Sequence, residues 1–356
     1  MTLTFLSISI HQSQSQSQFT ISPMIMKNPN MIIFFLLLLL SLLSPSISIS
    51  SRCNPQDKKT LLKIKKSLGN PYHLASWNPK EDCCTWYCLE CDEITNRVIE
   101  LTIFQGNISG QIPAAVGDLP YLQTLIFRKL TNLTGNIPQS ITKLTHLKMI
   151  RLSWTNLSGP IPSFLSQLKN LEYLDLSFND LTGSIPPSLS NLPNLEALHL
   201  DRNKLTGSIP DSFGNFKGRS FYLYLSHNQL TGYVPKSLGD LTYSYLDLSR
   251  NKLQGDVSFL FGSGNKLEVV DLSRNLFEFD LSNVVFPDDL RWFDINHNKI
   301  YGSLPKGLAS LELQFFNVSY NRLCGPIPIG GRMQNYETTE YFHNRCLCGA
   351  PLPACK

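Results

Sequence analysis

A leucine-rich unit of about 24 residues recurs ten times in this chain, and one copy reads Leu174-Asp-Leu-Ser-Phe-Asn179-Asp-Leu181-Thr-Gly183-Ser-Ile185-Pro186. The first apolar position of each L-x-L falls at Leu101, Leu125, Ile150, Leu174, Leu198, Leu223, Leu246, Val270, Phe293 and Phe316. Successive copies are 24, 25, 24, 24, 25, 23, 24, 23 and 23 residues apart. A unit this short cannot bury its apolar side alone, so neighbours must stack into a continuous core. The 356 residues therefore read as one elongated solenoid body, and solenoids bind macromolecules on a long concave surface.

The alternation L-x-L predicts a short strand with leucines inward and x outward. Stacked strands give one parallel concave sheet, about 43 Å long at roughly 4.8 Å per strand. The expected class is α/β: a right-handed leucine-rich-repeat solenoid with a second short sheet and disulfide-bonded caps. Asn179, Asn203, Asn228, Asn251, Asn275, Asn298 and Asn321 share one offset after the strands. Their amides can bond the backbone where the chain turns inward, as a buried ladder. The following L-x-G-x-I-P, as in Leu157-Ser-Gly159-Pro-Ile161-Pro162, supplies a glycine for a bend and a proline that excludes a helix interior. Short helical turns such as 163–168 then return the chain along the convex side. Repeat seven has Gly255-Asp-Val-Ser258 and repeat eight Phe277-Glu-Phe-Asp-Leu281 at this point, so the second sheet is expected to be interrupted there.

Residues 1–50 read as a secretory signal behind an upstream extension. Met31 to Leu43 is apolar except for Ser41, Lys27 precedes it, and small residues follow; the run is too short for an ordinary membrane span. Met24, Met26 and Met31 are alternative starts. Residues 51–97 form an N-terminal cap, 98–323 the solenoid and 324–356 a C-terminal cap. In the first cap, Asn54-Pro55 starts a helix whose apolar face is Leu61, Leu62, Ile64 and Leu68, and Trp77 packs as core. With no second apolar run and a stop just after Cys355, an exported protein without its own kinase or anchor is expected. The net charge of +4 and the lack of a basic tract argue against a nucleic-acid partner.

All nine cysteines lie at the two ends of the solenoid, where the terminal turns expose apolar faces that need lids. In an exported chain this is a disulfide pattern. The favoured pairs are Cys53–Cys83, Cys84–Cys91, Cys324–Cys346 and Cys348–Cys355, with Cys88 left over. Cys88-x-x-Cys91 keeps zinc or redox chemistry open as an alternative, which export disfavours.

L-x-G-x-I-P is the pattern of plant extracellular leucine-rich repeats. With Cys53-Asn-Pro-Gln-Asp-Lys-Lys, Asp82-Cys-Cys-Thr-Trp-Tyr-Cys88 and Arg345-Cys-Leu-Cys-Gly-Ala-Pro-Leu-Pro-Ala-Cys355 at the ends, the chain closely resembles plant polygalacturonase-inhibiting proteins over residues 52–356. The resemblance implies a wall-located inhibitor of polygalacturonases from fungi and insects. In that family the concave face meets the enzyme near its cleft and blocks substrate, without chemistry by the inhibitor. The acidic positions Asp175, Asp201 and Asp247 match ones the family uses to engage the enzyme.

Outward positions between the core leucines include Arg151, Asp175, His199, Tyr224, Asp247 and Asp271; two residues past the second leucine come Trp154, Phe178, Arg202, Arg250, Arg274 and Tyr320. Trp154, Phe178, Tyr224 and Tyr320 are suited to contact hot spots. Acids there would steer a basic cleft, although Asp247 and Asp271 could instead pair with Arg250 and Arg274. Arg202, Arg250 and Arg274, with His227 and His297 between them, form a basic stripe that could hold demethylated pectin or be a solvated rim. Asn107, Asn132 and Asn156 head glycosylation sequons near the strand ends; a fourth, Asn317, points from a concave strand where a glycan would crowd a partner. No catalytic or metal motif stands out, so neither an enzyme nor a cofactor is expected, and a monomer is. Two rivals share the fold: a soluble partner of a receptor kinase in peptide or developmental signalling, and an ice-binding protein, which would need a flat regular array that these varied positions lack.

Overall fold

The computed structural model describes residues 52–217, 220–262, 264 and 266–356, so the expected secretory signal lies outside the described residues. Residues 51–356 form one unit. Among the described residues no helix is long and apolar enough to cross a membrane.

Every L-x-L becomes a strand of one parallel ladder. The strands are Val98–Phe104, Thr124–Gly135, Met149–Pro160, Tyr173–Asp175, Ala197–His199, Phe221–Tyr224, Tyr243–Asp247, Val269–Asp271, Trp292–Asp294 and Phe315–Asn317. Their register follows the repeat: Leu101 pairs with Leu125, Ile150 with Leu174, and Phe293 with Phe316. The inward leucines are fully buried, among them Leu174 and Leu176. The strand Leu89–Cys91 of the N-terminal cap closes the first edge antiparallel to Val98–Phe104, which keeps that edge from pairing with another chain.

The asparagine ladder forms as expected, and each rung spans neighbouring repeats. Asn203 donates from Nδ2 to the carbonyls of Leu176 (3.0 Å), Leu200 (3.1 Å) and Asp201 (3.2 Å), while its Oδ1 accepts from the Leu181 N–H (3.0 Å). Such a side chain satisfies backbone groups that would otherwise be buried unpaired. The ladder passes the expected solenoid boundary at 323. Asn344 donates to Val318 O and Tyr341 O and accepts from Leu323 N, so the C-terminal cap begins with an eleventh, degenerate turn.

The glycines of L-x-G-x-I-P sit at positive φ, 81° at Gly135 and 77° at Gly183, where a side chain would be strained. Each following proline is extended, and its carbonyl accepts from the N–H three residues on, as Pro162 O does from Leu165 at 3.2 Å. The return segments are thereby single 3₁₀ turns such as Ser163–Gln167 and Lys236–Asp240.

The second sheet departs from expectation. Repeat seven is not a gap: Lys252–Gly255 pairs with Thr231–Tyr233 on one side and Leu276–Phe277 on the other. The strands break into blocks after Leu276–Phe277, in repeat eight as expected, and also after Lys204–Thr206, which was not expected. Backbone bonds still join the blocks, Thr231 N to Gly207 O and Tyr301 N to Phe279 O. Edge pairing needs only extended backbone, so losing the I-P dipeptide does not abolish it.

In the N-terminal cap, Asn54 caps the helix Pro55–Ser67 by accepting from Gln56 N and Asp57 N. Leu61, Ile64 and Leu68 are buried, and Leu62 is half-buried against them. Trp77 is fully buried; it stacks on Trp86 and its indole N–H donates to Tyr87 O. Asp57, 1% exposed, takes both Nε (2.8 Å) and a terminal nitrogen (2.7 Å) of Arg97 and accepts from Val98 N (3.0 Å). That cluster ties the helix to the first strand.

The four favoured disulfides are all present: Cys53–Cys83, Cys84–Cys91, Cys324–Cys346 and Cys348–Cys355. Cys91 is thus bonded, and Cys88-x-x-Cys91 is not a dithiol. Cys88 is free and half-buried, and burial pushes its thiol up to about 11, away from a reactive thiolate. Non-reduced peptide mapping of the purified protein should show these four bridges with Cys88 as the sole thiol. Four or more free thiols would contradict the lid assignment.

Candidate protein-binding face

Three outward columns run along the concave sheet. The residue between the core leucines gives the first. Its acids are held in place by the residue two positions on: Asp247 Oδ1 accepts from Ser249 N (3.0 Å) and Oγ (2.7 Å), Asp175 Oδ1 likewise from Ser177, and Asp294 Oδ1 from Asn296 N and Nδ2. Among the described residues, Asp247–Arg250 and Asp271–Arg274 are not ion pairs; the carboxylates turn along the backbone instead. Asp175 also corrects the expectation of an exposed acid. It is 2% exposed and lies 2.9 Å from Arg151 Nε, an ion pair whose angle falls outside hydrogen-bond geometry. Arg151, with 36% of its side chain exposed, is the member of that pair that reaches solvent.

The second column lies two residues past the second leucine, and every member is left-handed. Gln105, Lys129, Trp154, Phe178, Arg202, His227, Arg250, Arg274, His297 and Tyr320 have φ between 51° and 56°. Residues other than glycine rarely adopt this region. Here the backbone N–H bonds forward, Trp154 to Ser177 O and Arg202 to Ser226 O, which holds the conformation. The planar side chains stack: Trp154 on Phe178 at 3.7 Å, with the Arg202 guanidinium 4.9 Å from the Phe178 ring. Trp154 remains 42% exposed.

The third column, just before the first leucine, went unnoticed in the sequence although strand alternation places it on the same face. It contributes Tyr173, Tyr222, Tyr245, Trp292 and Phe315. His199, Tyr224 and Tyr245 form a ring stack with centroids 4.0 and 4.2 Å apart, and Tyr173 continues the row tilted at 39° to His199, 5.1 Å away. Trp292 stacks on Phe315 at 4.0 Å. Beside the first stack is an open depression of about 450 Å³, also lined by Tyr222, Glu172 and Glu196.

The crowding of acids shows in their proton affinities. Burial, then the charge of Asp175, pushes Asp201 up to about 7; burial, then Asp271, does the same to Asp294. Asp271 is raised by burial and by Asp247. Burial pulls His199 down to about 4, so it is neutral near pH 7. For a carboxyl raised in the folded state, the native protein holds more protons than the unfolded chain between the two pKa values. Stability from that group is thus present at low pH and lost as pH rises from about 4 to 7. Asp294→Asn keeps the acceptor for Asn296 but removes this titration. Its melting temperature should gain on wild type between pH 4.5 and 7.5, by on the order of a kcal/mol or more in stability. A constant difference across that range would show that Asp294 is not perturbed.

The sequon asparagines Asn107, Asn132 and Asn156 are all exposed, and Asn132 Nδ2 donates to Asn107 Oδ1 at 2.9 Å. Asn317 is half-buried with its Oδ1 engaged by Ser319.

A parallel ladder of L-x-L turns with asparagine rungs and cysteine-bonded lids defines a leucine-rich-repeat protein. Family models agree: Leucine rich repeat N-terminal domain over 54–92, Leucine Rich repeats (2 copies) over 169–213 and Leucine Rich Repeat over 221–241. The chain belongs to the polygalacturonase inhibitor family. It is 68% identical over 312 residues to a polygalacturonase inhibitor of Vitis vinifera, covering 88% of this chain and 94% of the relative. It is 67% identical over 316 residues to one of Pyrus communis, covering 89% and 95%. Among solved structures, that of a plant ice-binding protein superposes with a TM-score of 0.84 at 57% identity, over 86% of this chain and 99% of that one.

Proposed function

We propose that this chain is an exported inhibitor of microbial and insect polygalacturonases in the plant cell wall. It acts as a monomer, meeting the enzyme through its concave face and denying pectin access to the cleft. The observation that carries this reading is the exposed Trp154–Phe178–Arg202 stack beside the ring stack through His199 and Tyr224, in a chain of the polygalacturonase inhibitor family. Large rigid rings that stay exposed are typical interface anchors.

A polygalacturonase grips a polyanion and so has a basic cleft. Arg151, Asp201, Asp247 and Asp271 surround the rings; the carboxylate of Asp247 favours encounter with that cleft and sets orientation, while Asp201, raised to about 7, and Asp271, also raised, add charge only as pH rises. Asp175 acts through Arg151, which it holds. Arg202, Arg250 and Arg274, all exposed, serve a second partner, the carboxylates of wall pectin. Glycans are proposed at the exposed Asn107, Asn132 and Asn156; Asn132 and Asn156 lie within the long strands Thr124–Gly135 and Met149–Pro160 rather than beyond their ends.

Pull-down from wall extracts containing fungal enzyme separates this reading from the receptor-kinase alternative. Capture of endopolygalacturonase is expected. Capture of a receptor kinase without any polygalacturonase would favour the alternative.

A further inference from the structure

Resting on the pectin-binding reading above, we propose that the donor row continues past the repeats into the C-terminal cap, so that the site takes a linear polyuronate spanning Arg202 to His343. The cap was expected to be a lid, yet its first turn copies the repeat. His343 has φ 58°, like every member of the second column, and Asn344 supplies the next rung of the ladder. The preceding tooth bonds forward as the others do, Tyr320 N to Phe342 O at 2.9 Å.

The rings line up. His297 stacks on Tyr320 at 4.0 Å and 15°, and Tyr320 on His343 at 4.2 Å and 26°. With their faces turned to one another, these groups offer edges to solvent: Tyr320 is 44% exposed and His343 is exposed, while His297 Nδ1 is already engaged by Asn296 Oδ1 at 2.6 Å. Such edges suit hydrogen bonds to carboxylates and hydroxyls rather than stacking on a sugar face. The row from Arg202 to His343 makes six inter-repeat steps, or about 29 Å at roughly 4.8 Å per strand. Linked uronate units repeat on a similar scale, so a longer chain meets more teeth, while a short one is satisfied by the arginines alone.

The test compares oligogalacturonates of four and eight residues by calorimetry. Wild type should bind the longer chain more tightly. The double variant Tyr320→Phe with His343→Phe keeps the stack and removes the edge donors. It should lose roughly three- to tenfold in affinity for the eight-residue chain, the worth of about one exposed charge-assisted hydrogen bond, and nothing for the four-residue chain. Replacing Arg202, Arg250 and Arg274 by glutamine should weaken both chains. Equal wild-type affinity for the two lengths, or a double variant that binds both like wild type or loses equally on both, overturns the extension. Undiminished binding of both chains by the arginine variant overturns the pectin reading itself.

Discussion

Leu176→Asp should abolish secretion of folded protein. Leu176 is fully buried, and its carbonyl accepts from both Asn179 and Asn203 at 3.0 Å. The substitution removes an apolar side chain, on the order of 2–5 kcal/mol for a truncation in a packed core, and adds a carboxylate with no partner. Together these approach or exceed the ~5–15 kcal/mol by which a native protein is stable. In a solenoid each repeat is held by its neighbours, so a failed fourth repeat uncouples the two halves. Immunoblots of secreted and retained fractions would read this out, with Leu176→Met as a volume-conserving control. Normal secretion of the Asp variant would mean that the position is not core.

The second large effect is expected at the first cap. Arg97→Ala leaves the Asp57 carboxylate buried with only the Val98 N–H (3.0 Å), a loss of about 3–5 kcal/mol for one partner of a buried pair. The guanidinium also lies 4.2 Å from the Tyr121 ring, so its removal loosens the cap from repeat one. The melting temperature should fall by many degrees, and adding Asp57→Asn should recover part of the loss because no charge is then stranded. A single variant that melts like wild type, or no recovery in the double, would show that the pair does not hold the cap.

The repeat made much of this molecule readable from sequence. Spacing alone located every concave strand and the register between strands, since inward leucines tolerate no slip. The asparagine rungs and the bending glycines were readable because each has one backbone task. The rest depends on geometry that residue types do not announce. Nothing in Trp154, Arg202 or Tyr320 signals a shared left-handed backbone, because that conformation is set by the bond forward to the next repeat. The seating of Asp247 on Ser249 competes with an equally plausible pairing to Arg250, and only coordinates separate them. The eleventh turn lacks the leucine pattern and was hidden among cysteines. The neighbour that binds ice has a similar backbone, but the second-sheet strands of this chain carry an exposed Lys204–Asp180 ion pair (2.7 Å), which disrupts a flat regular array.

The most direct test is release of reducing ends from polygalacturonate by a panel of fungal and insect endopolygalacturonases, with purified wild type, Trp154→Ala and Asp247→Asn. Trp154→Ala removes an exposed anchor without opening the core, and Asp247→Asn keeps the acceptor for Ser249 while deleting the charge. Wild type should suppress at least one enzyme. Trp154→Ala should weaken that suppression roughly tenfold or more, the scale of an interface hot spot, and Asp247→Asn by less and mainly at low salt. Both variants should melt within a few degrees of wild type. Suppression of every sensitive enzyme unchanged in both variants, or no suppression by wild type across the panel, would contradict inhibition through the concave face.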